Sequence, residues 1–123
     1  MNECCTYFTI ICKAEQLEFI EKLGLTDYTI KDYANKKKVE IGYNDKYCID
    51  INFMIRKTLK ELFGKEEYLL EMKSKYNLEY YLERVVHLKK KSGLDYPELG
   101  LSRDVIEFLY KTETLDYLDY YIY

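Results

Sequence analysis

The spacing of apolar and polar positions changes period several times along the chain, and each change marks an element. Residues Cys5–Cys12 (CTYFTIIC) are β-branched and aromatic with no breaker, which predicts a buried strand. Leu17, Ile20 and Leu23 recur at helical spacing over Glu15–Leu23, and Gly24 stops that helix. Thr26–Lys38 is weakly patterned. Tyr28, Ile30 and Tyr33 suggest extended chain, and Asn35 with the run Lys36–Lys38 suggests a loop. A hairpin is predicted next, because Val39, Ile41 and Tyr43 alternate with polar residues, as do Tyr47, Ile49 and Ile51. A three-residue loop, Asn44-Asp45-Lys46, keeps all six on one face, whereas a two-residue loop sets Ile41 against Cys48.

Asn52 is the expected N-cap of a helix through Phe63, with Ile55, Leu59, Leu62 and Phe63 as its stripe. After Gly64 a second helical piece covers Glu66–Tyr76, and Asn77 ends it. Leu78–Leu88 is the clearest strand: Leu78, Tyr80, Leu82, Val86 and Leu88 share one face, with Arg84 the exception. Glu79, Tyr81, Glu83, Val85 and His87 share the other, wetter face. Lys89–Gly100, with the only proline at Pro97, reads as a loop. Ser102 then caps a helix with Val105, Ile106, Leu109 and Tyr110 as apolar positions, and Leu115–Tyr123 is a strand whose Leu118, Tyr120 and Ile122 face the core.

Residues 5–88 thus carry a β-α-β-β-α-β order, the ferredoxin-like arrangement, with a helix and a C-terminal strand appended. The expected fold is α+β over a single domain, 1–123: a mostly antiparallel sheet with helices mainly on one face. No internal linker, low-complexity tract or repeat interrupts it.

The closing segment also carries a resemblance. Leu101-Ser102-Arg103-Asp104-Val105-Ile106-Glu107-Phe108-Leu109, followed by Leu115-Asp116-Tyr117-Leu118-Asp119-Tyr120-Tyr121-Ile122-Tyr123, resembles the end of the bacterial domain of unknown function 4279 family. Tyr7-Phe8-Thr9-Ile10-Ile11, leading to a helix that ends Leu23-Gly24-Leu25-Thr26, is similar to its beginning. The resemblance implies a capped helix followed by a strand rich in Asp, Ile and Tyr. It implies no activity and carries over no catalytic residue.

Composition narrows the function classes. With 48% hydrophobic and 33% charged residues in 123, the chain is globular and long enough to build a core without a metal or disulfide. Its formal charge of −3 disfavours a protein that coats nucleic acid. Residues 1–30 hold 2 basic and 5 acidic groups, 31–91 hold 15 and 10, and 92–123 hold 2 and 7, so the middle is basic and both flanks acidic. Cys4, Cys5, Cys12 and Cys48 follow no secretory leader, and no apolar run is long enough to span a bilayer. The expectation is four reduced thiols, a cytoplasmic location and no membrane.

Candidate chemistry is sparse. The cysteines lack C-x-x-C spacing and the chain has one histidine, so no metal ligand set and no cofactor is expected. His87 lies four residues from Glu83, about 13 Å along a strand and beyond hydrogen-bond reach. No G-x-S-x-G, P-loop or G-x-G-x-x-G occurs, which speaks against an enzyme. Two lysine triplets, Lys36, Lys37 and Lys38 with Lys89, Lys90 and Lys91, form a candidate basic patch for RNA or a nucleotide, although no strand carries the basic-Gly-aromatic signature. The 15 tyrosines are the most unusual feature. Tyr is a good strand residue, and a chain with more Lys than Arg carries the mark of AT-rich coding. Tyr is also favoured in protein interfaces. Tyr81, Tyr117, Tyr121 and Tyr123, opposite the apolar stripes, are the interaction candidates. The expected function is a small cytoplasmic module that binds another protein, a toxin-neutralising immunity protein being one version. RNA or nucleotide binding and an unrecognised enzyme are the alternatives.

Overall fold

Ten residues, Glu3–Cys12, alternating in exposure as far as Phe8 and buried from there on, form strand β1 in the middle of an open five-stranded sheet. The computed structural model describes residues 3–45, 50–88 and 100–122. After β1 a 3-10 turn, Ala14–Gln16, leads into the short helix α1, Glu18–Lys22. Next come β2 (Thr29–Tyr33), β3 (Lys36–Asp45), α2 (Ile51–Leu59), α3 (Glu66–Tyr76), β4 (Glu79–Leu88), α4 (Arg103–Thr112) and β5 (Leu115–Ile122). The sheet order is β2-β3-β1-β4-β5. β2–β3, β3–β1 and β1–β4 are antiparallel, and β4–β5 is parallel. A parallel neighbour needs a crossover, and α4 lies within that connection.

The fold is therefore α+β with a mostly antiparallel sheet. The register sorts the faces. Phe8 pairs with Ile41 and Leu82, and Ile10 pairs with Val39 and Tyr80. These six are buried, with Cys4 and Val86 on the same face. Helices meet the sheet on this side. Phe108 of α4 packs edge-on to Phe8 at 6.0 Å and to Phe63 at 5.5 Å. Thr6 donates to the Met54 carbonyl of α2 at 3.3 Å and shares a short hydrogen bond with Thr58, so a polar position on this face is satisfied without water.

Local chemistry accounts for most boundaries. Gly24 adopts φ +68°, the left-handed conformation that ends α1. Asn77 ends α3 in the same region, φ 54°. Asp50, rather than Asn52, caps α2, accepting from the Asn52 N–H at 2.9 Å. Asn52 has another task. Its side chain donates to the Gly100 carbonyl at 2.6 Å and accepts from the Ser102 N–H at 2.8 Å, which ties the start of α4 to the start of α2. Ser102 makes no side-chain cap bond; its hydroxyl donates to Asp104 at 2.5 Å. Asp104 also receives both prongs of Arg56, at 3.0 and 3.1 Å, and these donors hold its carboxyl well below the usual carboxylate range.

Four expectations need correction. The hairpin expected over residues 39–51 has most of its return strand outside the described residues, and a different hairpin joins β2 and β3 across Ala34-Asn35. β3 pairs along one edge with β1 and, over Lys36–Glu40, along the other with β2. Ile51 starts α2 instead of ending a strand, and residues 46–49 lie outside the described residues. The second correction concerns Lys36–Lys38, which open β3 and are not a loop. The third concerns α4, which buries Val105, Phe108, Leu109 and Thr112, the i, i+3, i+4, i+7 set, while Ile106 and Tyr110 are exposed. The last concerns the thiols. Cys4 is disulfide-bonded, with its partner outside the described residues, whereas Cys5 and Cys12 are free. Cys4 alone of the adjacent pair turns to the helix-covered face, because successive strand residues point to opposite sides.

Candidate functional site

The other face of the sheet carries no helix contacts like those of Phe8, and the strand alternation delivers its side chains in rows. From β1 come Cys5, Tyr7, Thr9 and Ile11; from β4, Glu79, Tyr81, Glu83, Val85 and His87; from β5, Leu115, Tyr117, Asp119 and Tyr121. The parallel register sets Tyr81 beside Leu115, Glu83 beside Tyr117, Val85 beside Asp119 and His87 beside Tyr121. Two ring pairs result. Tyr81 and Tyr117 lie 5.5 Å apart, tilted by 42°, and His87 stacks on Tyr121 at 4.9 Å with 14° between the planes. Tyr117 and Tyr121 are each 49% exposed. Such ring pairs contribute about 0.5–1.5 kcal/mol beyond their buried area, which helps hold the rings in place.

Around β1 this surface is tighter. Tyr7 lies flat against Gly42 on β3, its register partner, and a Cβ there would come within 2.7 Å of the ring. An aromatic ring covering a strand glycine restores the packing that the missing side chain leaves out. Burial, with the neighbouring Cys5, raises the Tyr7 phenol above its ordinary value. Burial likewise raises the Cys5 thiol, so that side chain is a protonated, weak nucleophile. Thr9 is fully buried between its neighbours and donates to Glu83 at 3.5 Å. Tyr81 is raised by burial and by the neighbouring Glu79 carboxylate. These phenols therefore present neutral polar tips at neutral pH.

The charges are segregated along the same face. Glu79, Glu83 and Asp119 alternate with the rings of β4 and β5, and none of the three forms an ion pair among the described residues. The lysines sit on β2 and β3. Lys31 and Lys38 pair with Glu40 at 3.4 and 3.8 Å, and Lys38 also lies 5.9 Å from the Tyr33 ring centre. Lys37 points to the opposite side and pairs with Asp32. Strand alternation thus divides the first lysine triplet between two faces. Lys89, Lys90 and Lys91 lie outside the described residues. The strand that precedes them ends at Leu88, beside the Glu3 end of β1, whereas Lys37 pairs with Cys12 at the other end.

Of the tyrosine candidates, Tyr81, Tyr117 and Tyr121 occupy this one face, and Tyr123 lies outside the described residues. Sequence reasoning placed His87 on this face but missed Tyr7 and the ring that His87 stacks on. Tyr7 read as an interior strand residue, and the stacking partner of His87 is brought in only by the register of β5. Two of the concavities among the described residues are larger. A groove of about 760 Å³ runs between α3 and α4, lined by Glu66, Glu67, Leu70, Tyr110 and Glu113. A hollow of about 330 Å³ lies beside Tyr7, Tyr28, Lys31 and Glu40. Among the described residues no group of His, Cys, Asp or Glu gathers in a metal-holding arrangement, and no helix is long and apolar enough to cross a membrane.

A scan against protein-family models found no match, and searches of curated proteins and of solved structures also returned none.

Proposed function

We propose that this chain is a small protein-interaction module that docks a second protein on the β4–β5 half of the sheet face opposite the helix-packed core. One observation carries the reading: the ring pairs Tyr81–Tyr117 and His87–Tyr121 lie half-exposed on a regular sheet surface, on the side away from the core. Aromatic side chains on a rigid platform give large contact area at little entropic cost, which is why they dominate binding hot spots. Glu79, Glu83 and Asp119 among the rings, in no ion pair among the described residues, make this half negative, which suits a protein partner with a cationic surface and repels a phosphate backbone. A toxin-neutralising immunity protein is the concrete version, since it needs a preorganised charged face and no reacting groups.

Three finer readings belong to this proposal. A ferredoxin-like core over the first four strands is supported by β1 lying between β3 and β4 with antiparallel neighbours on both sides. Kinship with the 4279 family is supported by α4 running directly into β5 and by Leu23-Gly24 closing α1. A cytoplasmic location rests on the free thiols of Cys5 and Cys12, and the Cys4 disulfide is the observation that opposes it.

The test is affinity capture from the native host with three forms of the chain. The expected result is one stoichiometric protein partner, retained by the unaltered chain and by Tyr110→Ala on exposed α4, and lost with Tyr117→Ala plus Tyr121→Ala. A partner indifferent to the paired tyrosines, or co-purified RNA in its place, overturns the reading.

A further inference from the structure

We infer that the partner surface seated on β4–β5 is basic, presenting arginine and lysine side chains to a stripe of alternating rings and carboxylates. This rests on the docking face proposed above and adds the chemistry of its occupant. In register order the stripe runs Glu79, then Tyr81 beside Leu115, Glu83 beside Tyr117, Val85 beside Asp119, and His87 beside Tyr121. Among the described residues no lysine or arginine enters it. Arg84, the basic residue of β4, points to the helix-covered side and is bound there to Asp116.

A cation arriving at this stripe meets two complementary features at each step. A ring face attracts it by about 0.5–1 kcal/mol at an exposed site, more once water is excluded. A carboxylate one position away supplies the opposite charge, and Glu79, Glu83 and Asp119 have no ion pair to give up among the described residues. Arginine suits the site better than lysine, because its flat guanidinium stacks on a ring while its N–H groups reach a carboxylate. A second copy of this chain is a poorer occupant. Lys31 and Lys38 on its own face are already held by Glu40, and Lys37 is turned to the other side with Asp32.

The probe is a capped peptide of alternating arginine and glycine, with its glutamate counterpart as control, titrated into the isotope-labelled chain and followed by amide chemical shifts. The arginine peptide is expected to shift amides of β4 and β5, and the glutamate peptide to shift none. High salt, or Glu79→Gln with Glu83→Gln and Asp119→Asn, is expected to weaken the binding about tenfold. These near-isosteric exchanges lie on the surface, and an unchanged melting temperature confirms the fold. Shifts confined to Glu66, Glu67 and Glu113 in the α3–α4 groove, or equal binding by the triple variant, overturn the inference. So does self-association through β4 and β5 that competes with the peptide. If the captured host partner needs Tyr117 and Tyr121 but ignores the three carboxylates, the docking face stands and the basic occupant falls.

Discussion

Arg84 and Asp116 form a two-pronged ion pair on the helix-covered side of the sheet, with Nε to Oδ1 at 3.0 Å and Nη2 to Oδ2 at 2.7 Å. Arg84 is only 6% exposed, and its register partner on β5 is Leu118, so it reaches diagonally to Asp116. The pair accounts for the one break in the apolar stripe of β4 and fastens the parallel strand. Planar two-pronged geometry is where an ion pair is strongest.

Asp116→Ala is expected to lower unfolding free energy by about 1.5–3 kcal/mol, since a buried guanidinium loses two charge-assisted bonds. Denaturant unfolding measures it, and a loss under about 0.5 kcal/mol assigns the pair to the surface class. Deleting residues 115–123 removes the same partner together with a whole strand, and soluble expression is expected to fail.

Tyr80 is buried, and its hydroxyl donates to the Leu69 carbonyl at 2.7 Å. Tyr80→Phe leaves that carbonyl without this donor and is expected to cost about 1 kcal/mol. Burial also raises the Tyr80 phenol well above its ordinary value. A raised folded-state value favours the protonated form, so this contribution is complete below about pH 10 and lost as pH rises through the folded value. Alkaline unfolding should therefore be steeper for the native chain than for Tyr80→Phe, and parallel curves would contradict it.

Gly42 lets the Tyr7 ring lie against the strand. Gly42→Val puts branched carbon where the ring rests, and since the Tyr7 side chain must move, the expected cost is about 1–3 kcal/mol. Pairing it with Tyr7→Ala should recover part of the loss, because the clash disappears with the ring. An unchanged melting temperature for Gly42→Val alone would mean that the ring has free room to swing away.

Ala34 turns the β2–β3 hairpin at φ 53°, a conformation that a Cβ disfavours by about 1–2 kcal/mol. Ala34→Gly relieves it, and after the added freedom of the unfolded glycine a net gain of about 0.5–1 kcal/mol is expected. A loss of stability in thermal unfolding would show that the turn is not strained.

That turn also explains the largest misreading. Ala34-Asn35 lacks the Asn-Gly or Asp-Gly signature by which a two-residue hairpin announces itself, whereas Asn44-Asp45-Lys46 looks like a turn between two alternating runs. Local chemistry therefore gave no sign of the β2–β3 hairpin, which the pairing of Thr29–Tyr33 with Lys36–Glu40 decides. The α4 stripe failed for a related reason. Ile106 and Tyr110 are apolar by type, but burial is assigned by the side of the helix that meets Phe8 and Phe63, and Phe108 and Thr112 lie there instead.

What the sequence determined by itself is whatever depends on neighbours in the chain: the strand at β1, the alternation of β4, the ends of α1 and α3 at Gly24 and Asn77, and the placing of Tyr81, Tyr117 and Tyr121 opposite the apolar rows. Side-chain direction repeats every two residues in a strand and every 3.6 in a helix, so these are legible without any partner. The tertiary structure decided the rest. Strand order, the parallel placing of β5, the burial of Arg84 against Asp116 and the seating of Tyr7 on Gly42 all join residues far apart in the chain. Their register follows from packing the whole sheet at once, and that alone brings separate tyrosines together as a single surface.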